Sequence, residues 1–265
     1  MYPSHQKRLH SIIKDIKNLN DDNKITLQSN DSCCFRAQYK QTSSKINTSK
    51  LTNILDIKFN VDKPYIVVEP CITMEEITDF LLNLSTPYCL YVTPEFKHIT
   101  VGGAINGLGI ESSSFKYGLF ENTIFKYDVL LPNGSVVEAT SSNEYSDLFN
   151  NIPGSYGTLG IITKVYIYIH PTNKYISTEY LIYDSIDQII SEFSSSDIND
   201  YDLVEALKLE KNKFIISKSK YLSSSEKLSW WNWFTNTHIF GFFWSIWYFN
   251  FITNISNTHN HYKCF

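Results

Sequence analysis

The chain has 265 residues, of which 43% are hydrophobic and 15% aromatic, long enough to bury a sizeable core as one large domain or two ordinary ones. A formal net charge of −4 and the absence of any basic run that could track a phosphate backbone argue against nucleic acid as a partner and for a small-molecule ligand. The five cysteines, Cys33, Cys34, Cys71, Cys89 and Cys264, are an odd number with no CxxC pair, and the adjacent Cys33-Cys34 is poorly suited to a metal site, which points to reduced thiols facing a cytosol.

The opening MYPSHQKRLH has no apolar run behind its basic residues, so neither a signal peptide nor an N-terminal anchor is expected in this sequence. Leu9, Ile12, Ile13, Ile16 and Leu19 recur at helical spacing and predict an amphipathic helix over residues 4–19. The polar stretch 25–60 holds short apolar pieces such as Ile54 to Ile57 that suit strands. Tyr65 to Glu69 is strand-like and closed by Pro70. Thr73-Met74-Glu75-Glu76 is a capping box, so a helix follows, with Met74, Ile77, Leu81 and Leu84 as its buried stripe and Glu75, Glu76 and Asp79 on a solvated face. Tyr88 to Val92 is a further short strand. Lys126 to Leu131 and Ser135 to Thr140 flank Pro132-Asn133-Gly134 as an antiparallel hairpin. Asn143 or a neighbour caps a short helix through Leu148 and Phe149, and the alternation in Ile161 to Ile169 predicts a strand with one buried face.

Two glycine clusters stand out in this order. Thr100 to Ser114, TVGGAINGLGIESSS, places four of the ten glycines within eight residues. Pro153 to Gly160, PGSYGTLG, is the second. Clustered glycines accept positive φ and let a ligand approach the main chain, so several N–H groups can converge on a phosphate; tight packing against a neighbouring strand is the competing explanation. Neither the dinucleotide fingerprint nor the P-loop fits, because Ser112 stands where the former needs glycine and Leu108-Gly109 where the latter needs Lys and Ser/Thr. The expectation is a loop of another kind, with both clusters holding one extended ligand from two sides.

TVGGAINGLGIESSSFKYGLF, KYDVLLPNGSVVEAT, NEYSDLF and GSYGTLGIIT together resemble the sterol delta-24 reductase family, flavoproteins with an FAD-binding domain of the p-cresol methylhydroxylase (PCMH) or vanillyl-alcohol-oxidase type. The resemblance runs from about Tyr65 to Pro171. It implies an α+β fold with a mixed and antiparallel sheet, an FAD-binding domain over residues 1–173 and an incomplete second domain over 174–265. It also implies main-chain contacts to FAD from Thr100, Val101, Gly102, Gly103, Gly107 and Gly109, extended by Ile110, Glu111, Ser112 and Ser113; no histidine or cysteine lies within either glycine cluster, so a non-covalent FAD is expected. Ser155, Gly157, Thr158, Gly160 and Ile161 would close over the flavin from the other side. No metal is implied. Three departures from the family pattern stand out: Gly154 replaces a usual Trp, His98 replaces a usual acidic residue and is given no role, and Asp31 to Arg36, DSCCFR, lacks the N-terminal glycine turn.

The activity this implies is reduction of the delta-24 side-chain double bond of a sterol, with NADPH as electron donor. Glu111 and Lys116 are the ionisable residues inside the matching segment and the candidates for proton donation, against a salt bridge or helix-end contact for each. A flavin-dependent 2-hydroxy-acid dehydrogenase is an alternative, although no arginine lies near either cluster to clamp a carboxylate. A non-catalytic flavin-binding remnant is another. The family implies the cytosolic face of the endoplasmic reticulum membrane. Trp230 to Ile252, which holds all five tryptophans, is too interrupted by polar residues to span a bilayer; it reads either as part of an incomplete core or as a surface for peripheral membrane contact.

Overall fold

The computed structural model describes residues 3–18, 25–28, 44–210, 213–222 and 259–264. The chain divides into two compact units, one of residues 1–84 and 88–170, the other of residues 85–87 and 171–265.

The first unit is built on a six-stranded sheet of β3 (Ile54–Lys58), β4 (Tyr65–Val68), β8 (Ile161–Pro171), β6 (Ile124–Leu130) and β7 (Val136–Thr140) in that order, with β5 (Tyr88–Leu90) also paired to β8. The pairs β3·β4, β4·β8, β8·β6 and β6·β7 are antiparallel. β1 (Ile25–Gln28) and β2 (Ser44–Asn47) form a separate parallel pair. β8 is the central strand because its period is two: Val165, Ile167 and Ile169 are fully buried, while Lys164, Tyr166, Tyr168 and His170 lie half-buried on the other face.

Helix α2 (Met74–Leu82) covers the buried face. Thr73 Oγ1 accepts the Glu76 N–H and Glu76 accepts the Thr73 N–H, the predicted capping box, and Met74, Ile77 and Leu81 pack with Ile66, Val68, Val165 and Ile167. α1 (Pro3–Lys17) packs Ile12 and Ile16 against Ile46, Leu51, Leu130 and Ile161; Leu19, predicted to extend its stripe, lies outside the described residues. The predicted hairpin is β6–β7, where Gly134 takes φ 82° to close the Pro132-Asn133-Gly134 turn. Asn143 is not the cap of α5 (Ser146–Asn151). Its Oδ1 accepts the N–H groups of Thr140 and Tyr145, and Tyr145 occupies the cap position.

The second unit carries a four-stranded antiparallel sheet in the order β10 (Leu203–Glu210), β11 (Lys213–Tyr221), β9 (Tyr175–Tyr183), β12 (His259–Cys264). α6 (Ile186–Phe193) is capped by Ser185 and packs Ile189 with Ile198, Val204 and Ile216. Lys218 pairs with Glu192, which also accepts the Tyr183 hydroxyl. Among the described residues, no helix is long and apolar enough to cross a membrane. The segments Asp31 to Arg36 and Trp230 to Ile252, singled out above, lie outside the described residues.

Candidate functional site

The first glycine cluster is not a loop throughout. It opens as helix α3 (Val101–Gly107), capped by Thr100, whose Oγ1 accepts the Gly103 N–H at 3.2 Å. None of Gly102, Gly103, Gly107 and Gly109 takes positive φ; the left-handed residue is Leu108, at φ 52°. The reason for glycine differs by position. A Cβ on Gly102 would stand 3.2 Å from the Pro70 carbonyl oxygen, tighter than ordinary contact, so close packing favours glycine there. A Cβ on Gly107 would meet nothing within 4 Å. Packing therefore explains Gly102, and an open approach to the main chain exists at Gly107.

The free N–H groups expected to converge on a phosphate are already used within the protein. Val101 donates to the Ile72 carbonyl at 3.0 Å, Gly102 to that of Pro70 at 2.7 Å, Gly103 to its cap and Ala104 to the Thr100 carbonyl at 2.9 Å. The first-turn N–H groups of α3 therefore have partners within the protein. Val101 and Ile161 are core residues, and Gly160 is buried where a Cβ would stand 2.6 Å from Val129 Cγ1. Ser113 is buried and donates to the Tyr91 carbonyl at 2.8 Å. These four residues are part of the packed interior next to the glycine segments.

The two clusters abut each other. Asn106 donates through Nδ2 to the Gly102 carbonyl at 2.8 Å, and its Oδ1 accepts the Tyr156 N–H at 2.8 Å. The Gly154 N–H reaches the Ile105 carbonyl at 3.4 Å. Gly154 and Gly157 adopt φ 71° and 80°, the left-handed region that suits glycine, and Tyr156 between them takes φ 52°. Asn106 was not among the predicted site residues; a lone amide inside a run of glycines and aliphatics was the available signal. Ile110 and Tyr156 are 76% and 58% exposed, and Leu108, Thr158 and Leu159 are exposed too. Ser155 and Gly157 are partly exposed in the same turn. The result is a hydrogen-bonded pair of glycine segments edged by solvent-facing apolar side chains.

Glu111 braces the segment that follows: its carboxylate accepts the Glu95 N–H at 3.2 Å and its own N–H donates to Ser114 Oγ at 2.9 Å. Ser112 is partly exposed beside it. Lys116 lies in α4 (Ser114–Tyr117), with Nζ 5.6 Å from the Phe115 ring centre. His98 sits on the surface 3.6 Å from Glu75. Among the described residues, no cluster of His, Cys, Asp and Glu could hold a metal ion. An open groove of about 500 Å³ runs along β3 and α2, but neither glycine segment lines it.

Next in sequence to the Pro70 and Ile72 carbonyls lies a buried charge cluster that sequence reading missed. Glu69, fully buried at the end of β4, accepts from His5 Nδ1 at 2.6 Å, from Arg8 at 2.8 Å and 3.2 Å, and from the N–H and Nδ2 of Asn53 at 2.9 Å and 2.7 Å. Burial raises its carboxyl pKa, but the hydrogen bonds from His5, Asn53 and Arg8 outweigh that and hold it at about 2. The segment following Glu69 carries the Pro70 and Ile72 carbonyls that receive the first turn of α3. Glu69 thus fastens α1 to the platform of the first glycine helix.

FAD suits the surface just described: a planar aromatic ring needs apolar side chains to lie against and bare main chain to approach, as at Gly107. The sequence profile of the FAD binding domain family matches residues 1–140. The chain is 32% identical over 235 residues to the delta(24)-sterol reductase homolog dhcr-24 of Caenorhabditis elegans, covering 82% of this chain and 44% of that protein. It is 30% identical over 262 residues to the delta(24)-sterol reductase of Homo sapiens, covering 96% and 48% respectively, and 39% identical over 155 residues to that of Pisum sativum, covering 57% and 26%. The chain thus spans about half the length or less of these relatives. It belongs to the FAD binding domain family and, within that family, is a relative of the delta(24)-sterol reductases.

Proposed function

We propose that the chain binds FAD without a covalent link over the two glycine segments and takes part in reducing the delta-24 double bond of a sterol side chain with NADPH. The observation that carries the flavin site is the Asn106 bridge, which makes the two segments one surface with Gly107 open beside exposed Leu108, Ile110 and Tyr156. FAD, when bound, supplies a two-electron carrier between reduced nicotinamide and an alkene.

The protein's own part is positioning and exclusion of water. Gly107 gives bare main chain, Ile110, Tyr156 and Leu159 give apolar walls, and Ser155, Gly157 and Thr158 form the turn beside them. Ser112, Ser113 and Glu111 hold the segment leading into α4, Glu111 as a brace whose carboxylate is engaged by the Glu95 N–H. Lys116 is the cation nearest in sequence to that brace. The relatives named as delta(24)-sterol reductases support a sterol as substrate, and the family resemblance implies the endoplasmic reticulum membrane as its source. The first unit supplies the flavin surface, and residues 171–265 contribute to a substrate domain.

The absorbance spectrum of the purified protein tests the cofactor: bands of a bound flavin that acid precipitation releases into the supernatant are expected, and colour retained in the pellet refutes non-covalent binding. Anaerobic incubation with NADPH and a delta-24 sterol tests the reaction. A two-unit mass gain in the sterol is expected, and flavin-loaded protein giving none overturns it. Bleaching of the flavin by a 2-hydroxy acid but not by NADPH favours the hydroxy-acid dehydrogenase, and bleaching by neither favours a non-catalytic flavin binder.

A further inference from the structure

Outside the glycine segments, β5 and the end of β8 bring a thiol and an imidazole together. Cys89 Sγ lies 3.1 Å from His170 Nε2 and 3.9 Å from Nδ1, so the sulfur faces the Nε2 edge of the ring. Both side chains are half-buried rather than sealed. The Tyr91 ring packs on His170 at 4.7 Å between centres, and Tyr117 packs on Tyr91 at 4.8 Å and approaches His170 at 6.4 Å. These rings restrict the imidazole's rotation and limit water around it on that side. Cys71 offers the contrast within the same unit. It is buried, its thiol donates to the Thr48 carbonyl at 3.3 Å, and burial pushes its pKa up, the setting of an inert structural thiol.

We propose that Cys89 and His170 form a thiolate–imidazolium pair and make Cys89 a modification site for small electrophiles, hydroperoxides among them. The thiolate, not the thiol, is the nucleophile, and an adjacent imidazolium is the feature that favours it near neutral pH. With a hydroperoxide, sulfur attacks the distal oxygen and an S–O bond forms as the O–O bond breaks. Sulfur is oxidised to a sulfenic acid, the peroxide is reduced, and the departing oxygen takes the proton that His170 holds, leaving neutral imidazole. Cys89, Tyr91 and Tyr117 face the His170 ring. The inference is independent of flavin binding.

The test is site-resolved modification of the full chain, read by mass spectrometry of the peptides carrying Cys89 and Cys71. Rates with iodoacetamide are measured from pH 5.5 to 9, and rates with hydrogen peroxide are measured by trapping the sulfenic acid with dimedone. A pair that moves thiolate formation down by about two pH units raises the thiolate fraction about fiftyfold at pH 6.5 and lowers intrinsic nucleophilicity by nearly tenfold. Cys89 in the folded chain is therefore expected to react about fivefold faster at pH 6.5 than the same residue in urea. Its inflection should move up by one to two pH units in His170→Gln. Cys71, unreactive while the unit is folded, reports whether that variant folds; if it does not, the comparison of folded and urea-unfolded wild type still decides. Cys89 reacting no faster folded than unfolded at pH 6.5, or with the same inflection in a folded His170→Gln protein, overturns the proposal.

Discussion

Replacing Glu69 by Gln keeps the size of the side chain but removes the charge that His5, Arg8 and Asn53 converge on. The amide nitrogen would face donors, so at least one contact is lost and Arg8 is left beside a neutral partner. The magnitude follows from the carboxyl's displacement from its ordinary value of 4.5 to about 2. At about 1.4 kcal/mol per unit, that is about 3 kcal/mol of stabilisation from the charged form. A folded-state value below the unfolded one means this stabilisation is complete above about pH 4.5, falls to about half near pH 3 and is lost as the pH drops through 2. No tryptophan lies within residues 1–170, so tryptophan fluorescence is blind to this region and amide hydrogen exchange of α1 is the suitable assay. Exchange of the α1 amides in Glu69→Gln is expected to be about a hundredfold faster than in the wild type at pH 7, since each 1.4 kcal/mol is tenfold. The gap should narrow steadily toward pH 3. Exchange rates within threefold of each other at pH 7, or a gap that stays constant down to pH 3, would refute the clasp.

Gly107→Val should leave the melting temperature within a few degrees, because its side chain enters open space, yet lower the flavin content of the purified protein severalfold; unchanged flavin at saturating FAD would remove Gly107 from the site. Asn106→Ala removes the side-chain hydrogen bond that joins the glycine segments, from the Tyr156 N–H, and the one that holds Asn106 to the Gly102 carbonyl, and should weaken FAD binding about tenfold in a fluorescence titration, with smaller loss of stability. Gly160→Ala forces a Cβ to 2.6 Å from Val129 Cγ1 and 3.2 Å from the Leu130 carbonyl oxygen, so about 2 kcal/mol or more of destabilisation is expected in urea unfolding followed by circular dichroism. Thr73→Ala removes one half of the α2 capping box and should cost about 1 kcal/mol in the same measurement.

Local patterns carried much of this protein. The period of 3.6 in Ile12 and Ile16, the hydroxyl and carboxylate at Thr73 and Glu76, the alternation through β8 and the Pro132-Asn133-Gly134 turn are effects of neighbours within a few residues, so composition and spacing alone determine them. The two glycine clusters were legible for the same reason, as was their joint resemblance to an FAD-binding family. Distance in the chain concealed the rest. Whether Gly102 serves a ligand or a neighbour depends on the Pro70 carbonyl, 32 positions earlier, and whether the α3 N–H groups are available depends on Pro70 and Ile72. Asn106 meets Tyr156 across 50 positions, His5 meets Glu69 across 64 and Cys89 meets His170 across 81. A buried carboxylate is stable only when its donors arrive together from separate elements, and no single stretch of sequence carries that condition. Tertiary packing brought α1 to the end of β4 and β5 to the end of β8, and it thereby decided which polar residues hold the fold and which stand ready to react.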